Sequence, residues 1–443
     1  MAKITFMGAG STIFAKNVLG DAMRSKALCD AHIALYDIDA KRLEESRMML
    51  GALNANINKG RATITAHLGV RARKAALRGA DYVVNAINVG GYKPCTVTDF
   101  EIPKKHGIRQ TVADTIGIGG IFRALRTAPV MLDFAREMEQ VCPDAWFLNY
   151  ANPMAMLTGV LLKGTSIKTV GLCHSVQYCV PELLENLGMK AEKPRYKIAG
   201  INHMAWLLDL HDGKKDIYPE VKKRAAKIMR DSRKNGAKKN YDMVRFEMMR
   251  HFGCYITESP VHSAEYYPYW IKSRFPELVD EFNIPLDHYL GVCEQQIADW
   301  EKQRDKLVHN KKLSHRRSIE FASYIMEAME TDVPTRIHGN IVNNGLISNL
   351  PDSAIVEIPC LVDRNGIQGC HVGALPEQLA ALNRTHINVH LLMIDAILER
   401  SLEKLYHAAL LEPRLTAELP IDKIKALVDD MIIAHGKWLP TLK

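Results

Sequence analysis

Short apolar runs alternate with longer stretches of helical spacing from the N-terminus to about residue 174. KITFMGAGS (3–11), HIALYDID (32–39), DYVVNAINVGG (81–91), AWFLNYANP (145–153) and IKTVGLCH (167–174) each hold a compact apolar run that ends in polar or glycine residues. Runs of this length, bounded by turn formers, predict buried strands. Between them, TIFAKNVLGDAM, DAKRLEESRMML and a segment from about 119 to 140 repeat apolar residues every three or four positions, which predicts helices. Strand following helix in this rhythm predicts an α/β fold with a Rossmann-type doubly wound parallel sheet.

The second half changes rhythm. YKIAGINHMAWLLDL (196–210) is a long apolar stretch, and NNGLISNLPDSAIVEIPCLVD (343–363) reads as short strands with turns. LPEQLAALNRTHINVHLLMIDAILERSLEKLYHAALL (375–411) is helical throughout by its periodicity and is closed by Pro413. This order resembles the α+β substrate half of a lactate or malate dehydrogenase. With 443 residues the chain is long enough for two domains, and no internal repeat or low-complexity linker interrupts it.

Composition narrows the class. Hydrophobic residues at 47% and charged residues at 24% are globular averages, which excludes a disordered or fibrous chain. No window approaches the roughly 18 uninterrupted apolar residues of a membrane span, and MAKITFMGAGST lacks the core of a signal peptide. Nine cysteines, odd in number and without CxxC pairs, suit reduced thiols in the cytoplasm. The net charge of +8 is concentrated partly in KKRAAKIMRDSRKNGAKK (222–239) and HNKKLSHRR (309–317). Without an aromatic platform among the basic residues, these are expected to be solvated helix faces and a surface loop, not a nucleic-acid site.

Candidate chemistry lies at the predicted strand ends. Gly8 and Gly10 permit a tight turn against a pyrophosphate at a helix N-terminus, although Ile13 stands where a third glycine is usual. Asp37, at the end of the second strand, suits the ribose diol of NAD and disfavours NADP, the alternative being a helix cap. Asn85 and Asn88 with Gly90 and Gly91, Asn149 and Asn152, and the Cys173–His174 pair of GLCHSV fall at three successive strand ends. A thiolate at Cys173 and an imidazole at His203, from separate strands, are reasonable ligands for a transition metal. By spacing alone the tyrosine-rich HSAEYYPYWIK (262–272) reads as an aromatic interface patch. Residues 1–195 are thus expected to form an NAD-binding domain, and 196–443 a domain for substrate binding and oligomerisation.

FMGAGS, NVGGYKP, NYANPM, GLCHSV, AGINHM and VEIPCLVD, in this order and over essentially the full length, resemble glycoside hydrolase family 4. That NAD-dependent family departs from the two-carboxylate scheme of most glycosidases. The CHSV form resembles its α-galactosidase members. The resemblance implies oxidation at C3 of the sugar, deprotonation at C2, elimination, water addition and re-reduction, with NAD and Mn²⁺ or another divalent metal. It implies Cys173 and His203 as metal ligands and Tyr266 as the base. His174 stands where some members carry an aspartate, which leaves the acid as His174 or another group. The expected cofactor contacts are Gly8, Gly10, Ser11, Asp37 and Asn88, and the expected substrate contacts Asn152, Asn202 and Asp114.

Phosphosugar members carry an arginine four residues after VGG, where this chain has Cys95. A single nearby lysine, Lys93, is a poor substitute for the planar guanidinium fork, so the resemblance implies a non-phosphorylated glycoside of melibiose or raffinose type. α-Glucosidase and uronidase activities are alternatives within the family. Outside it stand a lactate/malate-type dehydrogenase and a non-catalytic NAD sensor. The resemblance also implies a homodimer or homotetramer, with the helix near 119–140 or the C-terminal third as interface.

Overall fold

The computed structural model describes residues 1–234 and 236–443, so position 235 of the basic run 222–239 lies outside the described residues. The first half runs β1 (Lys3–Met7), α1 (Thr12–Arg24), β2 (His32–Asp37), α2 (Ala40–Asn58), β3 (Thr63–Leu68) and α3 (Val70–Leu77). It continues β4 (Tyr82–Asn85), α4 (Val97–Lys105), α5 (Gly117–Val141), β5 (Trp146–Asn149), α6 (Met154–Gly164), β6 (Lys168–Gly171) and α7 (Ser175–Asn186). β7 (Pro194–Ile201), β8 (Met204–Asp212) and β9 (Lys215–Asp216) lead to α8 (Tyr218–Ser232), α9 (Met243–Phe252), β10 (Tyr255–Ile256) and α10 (Pro260–Tyr266). Next come α11 (Glu277–Glu281), α12 (His288–Val308), α13 (Phe321–Thr331), β11 (Thr335–Val342), β12 (Ile355–Asp363) and β13 (Gly366–Gly369). The chain closes with α14 (Glu377–Glu399), α15 (Leu402–Leu410), α16 (Pro413–Glu418) and α17 (Ile421–His435).

One sheet threads both halves. Its order is β10-β8-β7-β12-β11-β6-β5-β4-β1-β2-β3, with β13 on β12 and β9 on β8. The six strands from β6 to β3 are parallel in the doubly wound order, five of them at the predicted apolar runs and β3 in addition. β11 then joins β6 antiparallel, Asn340 opposite Gly171, and the remaining strands continue antiparallel. Register aligns Asn85, Asn149 and Gly171, so the β4, β5 and β6 exits open on one edge of the sheet. That edge is where a doubly wound sheet binds its ligands.

The C-terminal helices fold back on the first half. Met393, Ile397, Leu405, Leu427 and Met431 share a core with Phe122, Leu125, Leu157 and Leu161. The apolar surface of α5, expected as an oligomer interface, is therefore largely covered within the protomer. The single helix expected over 375–411 is two: Arg400 adopts φ 56° and Ser401 caps α15 by accepting from the Lys404 N–H. The basic run on α8 is amphipathic, with Val221, Ala225 and Met229 buried and lysines in solvent. The second run is not wholly a surface loop, because His315 is buried and meets Asp21 at 2.6 Å. Among the described residues no helix is long and apolar enough to cross a membrane.

Candidate active site

The glycine turn forms as expected, with one difference in the role of the acids. Gly8 has φ 86°, and a Cβ there would stand 2.8 Å from the Ala86 carbonyl oxygen. The Gly10 N–H donates to Asp37 Oδ2 at 2.6 Å, so the carboxylate pulls the turn against the end of β2. Asp39, not Asp37, caps α2 by accepting from the Lys41 and Arg42 N–H groups. That leaves the half-buried Asp37 at the edge of the turn. Ser11 occupies the N-cap of α1 without a side-chain cap bond, which leaves the first-turn N–H groups to an anion. Asn88 is exposed on the β4 exit loop, its carbonyl accepting from Gly91. A cradle that excludes a side chain, a free helix N-terminus and a carboxylate at the second strand together fit a dinucleotide.

Across the sheet edge, three strand exits and one short helix bring the reactive groups together. Cys173 follows β6, Asn202 and His203 make the turn between β7 and β8, Glu258 follows β10, and α10 carries His262 and Tyr266. His203 and Glu258 both sit in left-handed backbone, φ 64° and 61°, a conformation non-glycine residues hold only where the surroundings enforce it. His203 Nδ1 is 2.8 Å from the Tyr266 hydroxyl, and its Nε2 is 3.2 Å from Glu258 Oε2. His262 lies 3.4 Å from Glu258 through Nδ1 and 3.7 Å from Asp114 through Nε2. Donor atoms of Cys173, His203 and Glu258 lie within 4.8 Å of one another, and those of Asp114, His203 and His262 do the same.

The electrostatics ask for a cation. Burial pushes the Cys173 thiol up to about 12, with the Glu357 and Glu258 carboxylates adding to it. Burial also lifts Tyr266 well above the ordinary phenol, reinforced by Asp114, Glu265 and Glu258. A divalent ion beside these groups would reverse both effects, since it favours the anionic thiol and phenol. A thiolate, an imidazole and a carboxylate fit a divalent transition metal by softness and by charge. For Asp114, burial opposes ionisation, but His262, Arg123 and His203 outweigh it and hold the carboxyl well below its usual range.

Glu357 in β12 is a carboxylate enclosed by the sheet. Asn202 Nδ2 and Asn340 Nδ2 each donate to its Oε1 at 3.2 Å, and burial raises its pKa to about 7. Among the described residues Glu357 Oε2, Asn202 Oδ1 and Asn152 Oδ1 are buried without a partner, as polar groups kept for a ligand would be. Asn85 and Asn149 are instead bonded to each other, Asn85 Nδ2 donating at 2.9 Å, and serve to join β4 to β5.

His174 stands beside the cluster rather than in it. It precedes α7, beside the packed rings of Tyr150 and Phe14, with Nε2 at 2.9 and 2.8 Å from the two oxygens of Glu320. Burial lowers its pKa, but the Glu320 pair more than restores it and leaves the imidazole more basic than usual.

The tyrosine cluster is not a surface patch. Tyr266 and Tyr267 are buried and Trp270 nearly so, leaving Tyr269 as the exposed ring. Sequence reasoning missed Glu258, His262, Glu320 and Glu357 as site groups. His262 and Tyr266 are four apart on α10, a spacing that puts both on one face, and Glu357 is a lone charge within an apolar run. Both signals were readable. Glu258 and Glu320 come from loops whose partners are set only by tertiary contact.

Fold and site define a dinucleotide-sheet enzyme with a metal-capable cleft at the strand ends. Models of the family 4 glycosyl hydrolase and of its C-terminal domain match residues 3–189 and 198–415, and the chain belongs to that family. It is 55% identical to an α-galactosidase of Bacillus subtilis (strain 168), over the whole of both chains. A crystal structure of a 6-phospho-α-glucosidase from gut microorganisms in complex with NAD and Mn²⁺ superposes with a TM-score of 0.75, at 21% identity over the whole of both chains. A Cryptosporidium parvum lactate dehydrogenase superposes with a TM-score of 0.51 at 12% identity, covering 89% of this chain and 98% of its own. The last bears out the dehydrogenase-like second half.

Proposed function

We propose that this protein hydrolyses α-galactosides of the melibiose and raffinose type, using NAD and a divalent metal such as Mn²⁺. The observation that carries the reading is the His203–Tyr266 contact at 2.8 Å beside Cys173, in a family 4 chain more than half identical to an α-galactosidase. We assign residues 1–195 to NAD binding and 196–443 to substrate binding and oligomerisation.

When bound, NAD would supply a hydride acceptor and donor for the sugar, and a divalent metal would supply Lewis-acid charge. Gly8, Gly10, Ser11, Asp37 and Asn88 would hold the dinucleotide, and Cys173 and His203 would hold the metal. Asn152, Asn202 and Asp114 orient the sugar hydroxyls. Because His203 turns Nε2 toward the donor cluster, Nδ1 carries the proton and donates to the Tyr266 oxygen. That bond favours the phenolate, the form that takes the C2 proton. His174, whose protonated form Glu320 favours, delivers a proton to the departing glycosidic oxygen.

Two further features support a plain sugar. Cys95 is buried where a phosphate-binding arginine would stand. Arg126 is committed to Asp99 through two bonds, and to the Val89 carbonyl. We place the protein in the cytoplasm as a homodimer or homotetramer, a setting that suits nine unpaired cysteines.

The test is hydrolysis of melibiose, maltose and a galacturonide by reduced enzyme, with and without NAD⁺ and Mn²⁺. Cleavage of melibiose only with both additions is the expected result. Preferential cleavage of maltose or of the galacturonide would move the activity within the family. Accumulation of NADH with hydroxy acids and no glycoside cleavage would make the protein a dehydrogenase.

A further inference from the structure

We propose that Glu258 is a third protein ligand of the metal, completing a Cys173–His203–Glu258 donor set. The inference rests on the reading above only in requiring that a divalent ion bind here.

The two oxygens of Glu258 have different surroundings. Oε1 accepts from the Ser259 N–H at 2.9 Å and faces His262, whereas Oε2 faces His203 Nε2. The bland reading makes Glu258 the carboxylate that orients His203. That post is already filled, because His203 Nδ1 has the Tyr266 hydroxyl at 2.8 Å. With a metal on Nε2 there is no proton to give Glu258, and a carboxylate oxygen 3.2 Å from that nitrogen then faces the cation.

Distance and backbone agree. Two ligands on one ion at about 2.0–2.3 Å each stand at most ~4.6 Å apart, and the 3.2 Å between His203 Nε2 and Glu258 Oε2 falls well inside that reach, with the Cys173 donor atom within 4.8 Å of both. The left-handed φ of Glu258 is enforced by Arg245, which donates to its carbonyl at 2.6 Å and is itself bonded to the buried Asp242. A strained residue fixed by a buried ion pair, facing a second strained residue, is a device for aiming one side chain at another. The competing set of Asp114, His203 and His262 lacks a thiolate, the softer donor. A thiolate and a carboxylate together also neutralise the ion's two charges inside a buried site.

The probe is Mn²⁺ alone, titrated into the full-length protein without glycoside and followed by the electron paramagnetic resonance signal of the free ion. E258Q, which keeps shape and removes charge, should weaken Mn²⁺ binding by roughly tenfold or more. A crystal of the wild-type protein soaked with Mn²⁺ should place the anomalous peak in bonding contact with Cys173 Sγ, His203 Nε2 and Glu258. Wild-type affinity in E258Q overturns the assignment, as does a peak from which Glu258 is separated by water. If E258Q does not fold, the wild-type crystal decides alone. Because no sugar is used, failure of the galactosidase reading and failure of this one are separate results.

Discussion

The Tyr266 hydroxyl lies 2.8 Å from His203 Nδ1, the nitrogen opposite the one that faces the Cys173 and Glu258 donors. The imidazole thereby links the metal-capable cluster to the proposed base in one hydrogen bond. Tyr266→Phe keeps the ring and removes the proton acceptor. Turnover should fall by about 10²–10⁴, with exchange of the C2 hydrogen into deuterated solvent lost in parallel. Exchange that persists in this variant would move the base elsewhere.

Glu320 raises the basicity of a half-exposed His174 against the opposing effect of burial. If His174 is the acid, it works protonated, so kcat/KM falls as pH rises through its pKa. Glu320→Gln removes the carboxylate charge and should move that alkaline limb to lower pH. An unmoved limb, with only a uniform loss of rate, would leave Glu320 a structural partner and the acid unassigned.

Asp37 binds the Gly10 N–H at 2.6 Å while standing where a ribose diol would be held. Asp37→Ala removes a charged acceptor worth about 1.5–3 kcal/mol, which predicts NAD⁺ binding weaker by roughly 10- to 150-fold. Fluorescence titration with NAD⁺ measures it. Turnover at saturating cofactor should change little, and a loss confined to turnover would contradict the ribose contact.

How far the sequence carries depends on what each residue's environment is made of. β1, β2 and β4–β6 are buried on both faces, so their apolar runs announce them. β3 was not read: as the edge strand it is half exposed, and TITAHL shows no apolar face. The break at Arg400 was invisible because a non-glycine residue takes the left-handed turn there. Cys173, His203 and Tyr266 were legible because family motifs mark them. Glu258 and Glu320 were not, since each gains its meaning only when a loop distant in sequence closes on an imidazole.

Three histidines packed in the interior make the fold sensitive to acid. Burial lowers His338 and His390 to about 3 and His386 to about 4, whereas an unfolded chain protonates each near 6.5. Between about pH 4 and 6.5 the unfolded state therefore binds three protons that the native state does not. Stability falls as pH drops through this window, by about 1.4 kcal/mol per pH unit for each histidine. These contributions are fully present above pH 6.5. His390, buried on α14 one turn from His386, is the cleanest probe, and His390→Leu should reduce the slope by about 1.4 kcal/mol per pH unit. Urea midpoints at pH 7 and pH 5 measure it in both proteins. Equal slopes would mean that His390 is protonated in the native state, and that the acid sensitivity comes from the remaining groups.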